Sequence, residues 1–355
     1  MIDFIIVGRG LAASVIAHTL LEEKRSFKII GNQNLSSCSK VAAGIWNPIV
    51  FKRLTKSWLA NELIVYLNEF YSNCERRLDK KLITQRSIIR SFVEEQEKKL
   101  WLNKASLELS EFLDDTLRDD NSLDLLNCKI SKQVGLVKQS GNLNVIEFLN
   151  ATDHFFKEHL MDETFEHEQL KIDADHLSYK NVIAKNIIFC EGYLVKNNPF
   201  FNWVPLKPAK GEILEITAPD LKIKEHILNK NGFIMGQSNG TFKVGATYEW
   251  TDLDEEKTQK GFHELEEKLA QLINCNYTIT RQQAGIRPSS SDRRPIIGAH
   301  PGYNNLFIFN GLGTKGVMLA PYFAKKFVNF YLQKEALPTE VNVVRFYSLY
   351  AGEKK

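Results

Sequence analysis

The first residues whose types and spacing carry chemistry are Gly8-Arg9-Gly10-Leu11-Ala12-Ala13, a G-x-G-x-x-A series. Gly8 permits a tight turn. Gly10 lets the backbone come against a pyrophosphate, and Ala13 is small enough for a helix to lie on its strand. The free N–H groups of the first helical turn, with Leu11 and Ala12 in it, then face the phosphates, as does the positive end of the helix dipole. The chemistry implied is dinucleotide binding. An acidic residue some 20 positions on, at the end of the next strand, would bind a ribose hydroxyl. Gly31-Asn32 stand there instead. Asn32 or Asn34 can offer a neutral hydrogen bond, or backbone alone can hold the adenosine. The departure argues against simple NAD binding.

The flanking elements support the motif. Asp3 to Val7 reads as a buried strand, Ala12, Ile16, Leu20 and Leu21 recur at helical spacing, and Phe27 to Ile30 reads as a second strand. Lys56 to Arg76, Phe92 to Leu102 and Asn144 to Leu160 have helical patterns, and Ile187 to Phe189 is a short apolar strand. Next come β signals over Glu212–Ile216, Gly232–Met235 and Thr241–Thr247, the last two joined at Ser238-Asn239-Gly240 as a hairpin. A helix over Gly261–Ile273, a buried strand over Leu306–Phe309 and a helix over Val317–Leu332 follow. This order predicts an α/β protein. Residues 1–55, 142–200 and 280–355 would form the nucleotide domain, and 56–141 with 201–279 a substrate domain inserted between its pieces.

Composition excludes several classes. The net charge is +3 with no basic block, so neither nucleic acid nor a membrane surface is the expected partner. No apolar run reaches the ~18–20 residues of a membrane helix, and the start does not read as a signal peptide. Five scattered cysteines without a C-x-x-C fit a reducing cytoplasm. The eight histidines show no ligand spacing, and no metal site is expected.

The C-terminal part is more specific. Ala284-Gly285-Ile286-Arg287-Pro288 is followed by Asp292-Arg293-Arg294-Pro295-Ile296-Ile297-Gly298, then by Asn310-Gly311-Leu312-Gly313-Thr314-Lys315-Gly316 and Leu319-Ala320-Pro321. This series resembles the C-terminal signature of the D-amino-acid oxidase, glycine oxidase and sarcosine oxidase family of flavoproteins. Weaker pieces occur in the family's order: Ser39-Lys40-Val41-Ala42-Ala43-Gly44-Ile45, Phe189-Cys190-Glu191-Gly192-Tyr193, Lys210-Gly211-Glu212 and Lys243-Val244-Gly245-Ala246-Thr247. The resemblance implies an α/β fold. A Rossmann-like FAD-binding domain would carry an inserted substrate domain of mixed β-sheet plus helices, and the FAD would be held without a covalent bond, because Ile286-Arg287-Pro288 stand where covalently linked relatives carry their cysteine.

Residue roles follow from the same resemblance. Arg287 would hold a substrate carboxylate, a task suited to its rigid two-pronged fork; the alternative is a structural arginine paired with an acid. Ser39, Ala42, Ala43, Gly44 and Ile45 would pass the pyrophosphate and flavin, with Cys190 and Gly192 at a neighbouring strand end. Gly311, Gly313, Thr314 and Gly316 would approach the flavin pyrimidine. Lys315 would add charge there or else face solvent. Lys243 stands where a relative has a lysine that promotes oxygen reaction, while strand alternation predicts that it is exposed. Tyr248 would reach the substrate or pack in the core, as would Phe233. Trp46 would wall the pocket or fill the domain seam.

The activity expected is oxidation of an amine or amino acid by hydride transfer to flavin N5. The imine would hydrolyse, and oxygen or another acceptor would take the electrons. Proximity and orientation suffice for such a step, and no histidine or acid stands out as a base. The alternatives are oxidation of a modified transfer-RNA nucleoside and a catalytically degenerate FAD-binding protein.

Overall fold

The computed structural model describes residues 1–353 except 36, 120, 121 and 224. The strand Ile2–Val7 is buried from Phe4 onward. Its unbroken apolar run, rather than an alternation, is what a strand covered on both faces requires. It pairs in parallel with Phe27–Ile30 on one side and Val182–Phe189 on the other. Leu160–Met161 extends the sheet beyond Phe27–Ile30, and Tyr303–Asn310 runs parallel to the end of Val182–Phe189. Antiparallel additions bring this sheet to eight strands among the described residues. Phe4 and Ile6 face the helices Leu11–Glu22 and Gly316–Tyr331, while Ile5 and Val7 face a second apolar cluster with Phe165, Tyr179 and Phe201.

The second eight-stranded sheet runs in the order Thr278–Arg287, Ala209–Thr217, Phe242–Gly245, Gly232–Gly236, His226–Lys230, Ser87–Ser91, Gln133–Val137, Arg118–Asp119. The expected hairpin is present between Gly232–Gly236 and Phe242–Gly245. One face of this sheet, with Leu214, Ile234 and Val244, packs on Leu265 and Leu269 of the helix Gln259–Ala270. The register puts the opposite set on the other face. Arg287 pairs with Ala209, Gly285 with Gly211, Ile213 with Gly245, Gly245 with Phe233, and Lys243 with Met235.

That second face corrects the expectation of an exposed Lys243. The segment around Cys38–Val41 covers it: a Cβ on Gly285 would lie 3.1 Å from Cys38 Cα. Lys243 is therefore 5% exposed, and its Nζ donates to the Ala42 carbonyl at 3.0 Å. Alternation tells which face a residue takes, not whether water covers that face.

Helix starts shift for local reasons. Helix Ala60–Leu78 starts four residues after Lys56, because Thr55–Lys56 pairs with Ile49–Val50 and Leu59 takes a left-handed conformation. The helix expected from Phe92 runs over Glu95–Ala105. Helix Val145–Phe155 is opened by Asn144, whose side chain accepts from the Glu147 N–H, a cap worth about 1 kcal/mol. Trp46 is 1% exposed and donates to the Gln139 carbonyl, so it fills the seam between segments.

Candidate active site

A cavity of about 360 Å³ opens where the parallel strands end. Gly8, Gly10, Leu11 and Ala12 line it from the first turn of helix Leu11–Glu22. That helix has no side-chain cap, so its N-terminal N–H groups are available to an anion, apart from Leu11 N–H, which donates to Ser39 Oγ at 3.1 Å. Gly8 has φ +122, and a Cβ there would lie 2.5 Å from the Cys190 carbonyl oxygen, so the turn and the neighbouring strand end leave room only for glycine. Ser39, Cys190 and Gly192 form further wall, with Gly313 and Gly316 at the far end. The Ser37 hydroxyl also lines the cavity, buried and without a partner among the described residues. A narrow slot of small residues beside a helix N-terminus, holding an orphaned hydroxyl, fits a dinucleotide.

Other expected cofactor residues stand off this cavity. Ala13 is buried in the core. Ala42, Ala43, Gly44 and Ile45 continue past the wall toward the second sheet; Gly44 has φ +73. Gly311 has φ +72, which turns the chain out of strand Tyr303–Asn310, and Thr314 is exposed.

At the end of the cavity beside strand Phe27–Ile30, Asn32 lines the wall, donates to Thr164 Oγ1 at 3.1 Å and accepts from Asn34 N–H at 2.8 Å. An acid does stand at this edge, but from the adjoining strand. Asp162, just after Leu160–Met161, accepts from Gln33 N–H and pairs with Arg9, each at 2.8 Å. Thr164, Phe165 and His167 also line the cavity. They carry no motif of their own, and only the pairing of Leu160–Met161 with Phe27–Ile30 brings them there. Leu35, Leu194 and Asn197 are further wall residues outside the motifs, whereas Tyr193, Asn310 and Pro288 belong to the motif series and received no role there. Asn310 joins two strand ends by donating to the Gly192 carbonyl at 2.8 Å.

Arg287 ends its strand between Ile286 and Pro288, both of which line the cavity. Its guanidinium lies directly on Gly211, where a Cβ would come within 1.9 Å of Nη2. Among the described residues it donates to backbone carbonyls alone, at long range: Thr247 O at 3.3 Å and Lys210 O at 3.4 Å. The Tyr248 ring covers it at 4.3 Å. No carboxylate pairs with it among the described residues. Burial lowers its pKa, yet it remains a cation.

Lys243 lies on the same sheet face, and burial lowers its pKa too. Lys315, half-buried at the start of helix Gly316–Tyr331, donates to Ser57 Oγ; burial without a counter-ion depresses it to about 8. It is thus not a solvent-facing loop lysine. Arg287 and Lys315 have no carboxylate paired with them among the described residues, while Lys243 has Glu215 as its cross-strand neighbour, so the field at Arg287 and Lys315 favours anionic groups. Phe233 packs at the core edge beside Gly245, whereas Tyr248 is half exposed rather than a core aromatic.

Cys38 and Cys190 both line the cavity. Burial pushes the Cys38 thiol up to about 11 and raises Cys190, so neither is a thiolate nucleophile at neutral pH.

Residues 3–329 match the FAD dependent oxidoreductase family. The chain belongs to that family. It is 27% identical to the glycine oxidase of Bacillus subtilis (strain 168) over 172 residues, 45% of this chain and 46% of that protein, so the match spans about half of that relative. Among solved structures, glycine oxidase from Geobacillus kaustophilus superposes with a TM-score of 0.78 at 18% identity, over 94% of this chain and 95% of that one. L-proline dehydrogenase from P. horikoshii gives 0.79 at 17% identity over 98% of both chains. These likenesses establish the fold. FAD is the cofactor of the family, and the slot described above fits it. No described helix is long and apolar enough to cross a membrane.

Proposed function

We propose that this protein oxidises a small amine that carries a carboxylate, most simply an amino acid or N-substituted glycine, and releases an imine that water hydrolyses. The observation that carries the reading is Arg287: a half-buried guanidinium beside the cofactor slot, aimed by Gly211 and Tyr248 and paired with no carboxylate among the described residues. A cation partly withdrawn from water and without an acid is costly unless a ligand completes it. A substrate carboxylate does so with two parallel hydrogen bonds.

Bound FAD would supply the two-electron acceptor, held by Gly8, Gly10, Ser39 and the loop Gly311–Gly316. The chain's own residues hold and orient. Arg287 anchors the carboxylate and thereby fixes where the neighbouring C–H points, the form of catalysis such a step needs most. Lys243, fixed on Ala42 O, and Lys315, fixed on Ser57, supply positive charge where negative charge develops. We place the enzyme in the cytoplasm on its free cysteines and take oxygen as one electron acceptor.

The test is an absorbance spectrum of the purified protein, then anaerobic addition of a panel of amino acids and N-methyl amines. Flavin bands that bleach with one of them, and no longer do so in Arg287→Ala, are expected. Bands that no carboxylate amine bleaches, or bleaching that survives Arg287→Ala, would overturn the assignment.

A further inference from the structure

Beyond Arg287 the chain presents two large aromatic rings to water. Tyr248 is 50% exposed and Trp250 64% exposed. They are stacked, with centroids 5.9 Å apart and planes 24° from parallel. Single exposed aromatics are ordinary. A stacked pair, one member of which lies on a half-buried arginine at 4.3 Å, is not.

The pair is also held still. Glu249, between the two rings, accepts from Trp250 N–H at 2.8 Å, Thr251 N–H at 3.0 Å, Thr251 Oγ1 at 2.7 Å and Lys260 Nζ at 3.1 Å. Its own N–H and carbonyl bond the Lys210 backbone at 3.0 and 2.8 Å. Lys210, 1% exposed, reaches out to pair with Asp254 further along the same loop. The rings are therefore displayed on a tied loop, and little ordering entropy is lost when something stacks on them.

We propose that the amine this enzyme oxidises carries a planar aromatic substituent, and that this ring stacks on Tyr248 and Trp250 while Arg287 holds the carboxylate. The inference rests on the carboxylate role of Arg287 and adds the substrate class. Continuity identifies the occupant. Tyr248 touches both Arg287 and Trp250, so a molecule gripped by its carboxylate at Arg287 has the aromatic pair beside it. Two rings make too small a patch for a stable macromolecular interface but suit one aromatic group.

The test uses the FAD-loaded protein and unreactive acids, so it needs no turnover. Phenylacetate, cyclohexylacetate and acetate are titrated, and binding is read from the perturbed flavin spectrum and from Trp fluorescence. Phenylacetate is expected to bind several-fold tighter than cyclohexylacetate, roughly the 3- to 10-fold of an aromatic stack. Trp250→Ala should bring that ratio close to one, and Trp250→Phe should restore most of it. If the acids bind but the ratio survives Trp250→Ala, or no preference for the planar ring exists, the inference fails while the carboxylate site stands. If none of the acids binds, or Arg287→Ala binds them as the parent does, the carboxylate reading falls and takes the inference with it.

Discussion

Substituting Gly211 with alanine should disable Arg287 without removing it. The added methyl carbon would stand 1.9 Å from Nη2, 2.2 Å from Cζ and 2.4 Å from Nη1. Ordinary contact between heavy atoms is about 3.5 Å, so the guanidinium must retreat by roughly 1.5 Å. It cannot do so evenly, because the Tyr248 ring lies over it at 4.3 Å and the Thr247 carbonyl at 3.3 Å. The arginine has a flexible stem, so the fold should lose little. Its aim is another matter: a misplacement of about 1 Å can cost a hundredfold in rate, and losing a bidentate charge-assisted pair costs about 3 kcal/mol, which is of the same size. The assay is anaerobic flavin reduction by whichever amine reduces the parent protein, with Gly211→Ala, Arg287→Ala and the double variant side by side. Gly211→Ala should reduce kcat/KM by about 100-fold and keep the thermal midpoint within a few degrees. The double variant should be no worse than Arg287→Ala alone, since both changes remove one interaction. A Gly211→Ala protein with parental kinetics, or fully additive losses, would refute the reasoning.

Two further outcomes follow from titratable groups. His18 is fully buried, its Nε2 on Thr152 Oγ1 at 3.0 Å and its Nδ1 facing Arg77 at 2.9 Å; burial first, and the Arg77 charge second, lower its pKa from 6.5 to about 3. The fold therefore requires neutral His18: stability is complete above pH 6.5 and is lost as the pH falls toward 3, by about 2 kcal/mol between pH 6.5 and about pH 5. Urea unfolding of the parent and of His18→Phe across that range should show the slope flattened in the variant, and equal slopes would contradict it. Lys315, depressed to about 8 by burial, is charged below that pH and neutral above it. The reduction potential of the bound flavin should therefore fall more steeply through pH 8 in the parent than in Lys315→Met, and coincident curves would exclude Lys315 from the flavin's surroundings.

Much of this was legible in the sequence because the physics is local. Phe4-Ile5-Ile6-Val7 running into Gly8-Arg9-Gly10 specifies strand, turn and helix within a dozen residues, and no distant partner is needed to read a turn that only glycine tolerates. The hairpin around Ser238-Asn239-Gly240 is local in the same way. The series around Arg287 stood out too, through the family resemblance that Gly285 and Pro288 carry.

What only the tertiary structure decided is which face of each strand is covered, and by what. Alternation predicted an exposed Lys243, but its burial depends on the segment around Ala42, some 200 residues away in the chain. Asp162 reaches the edge where Asn32 stands because Leu160–Met161 pairs with Phe27–Ile30. Tyr248 would have passed for a core ring had the loop behind it not been tied by Glu249 and Lys210. Local sequence sets conformation, because backbone sterics act between neighbours. Burial, and with it the charge state of a lysine or the exposure of a tryptophan, is set by whichever distant segment packs against it.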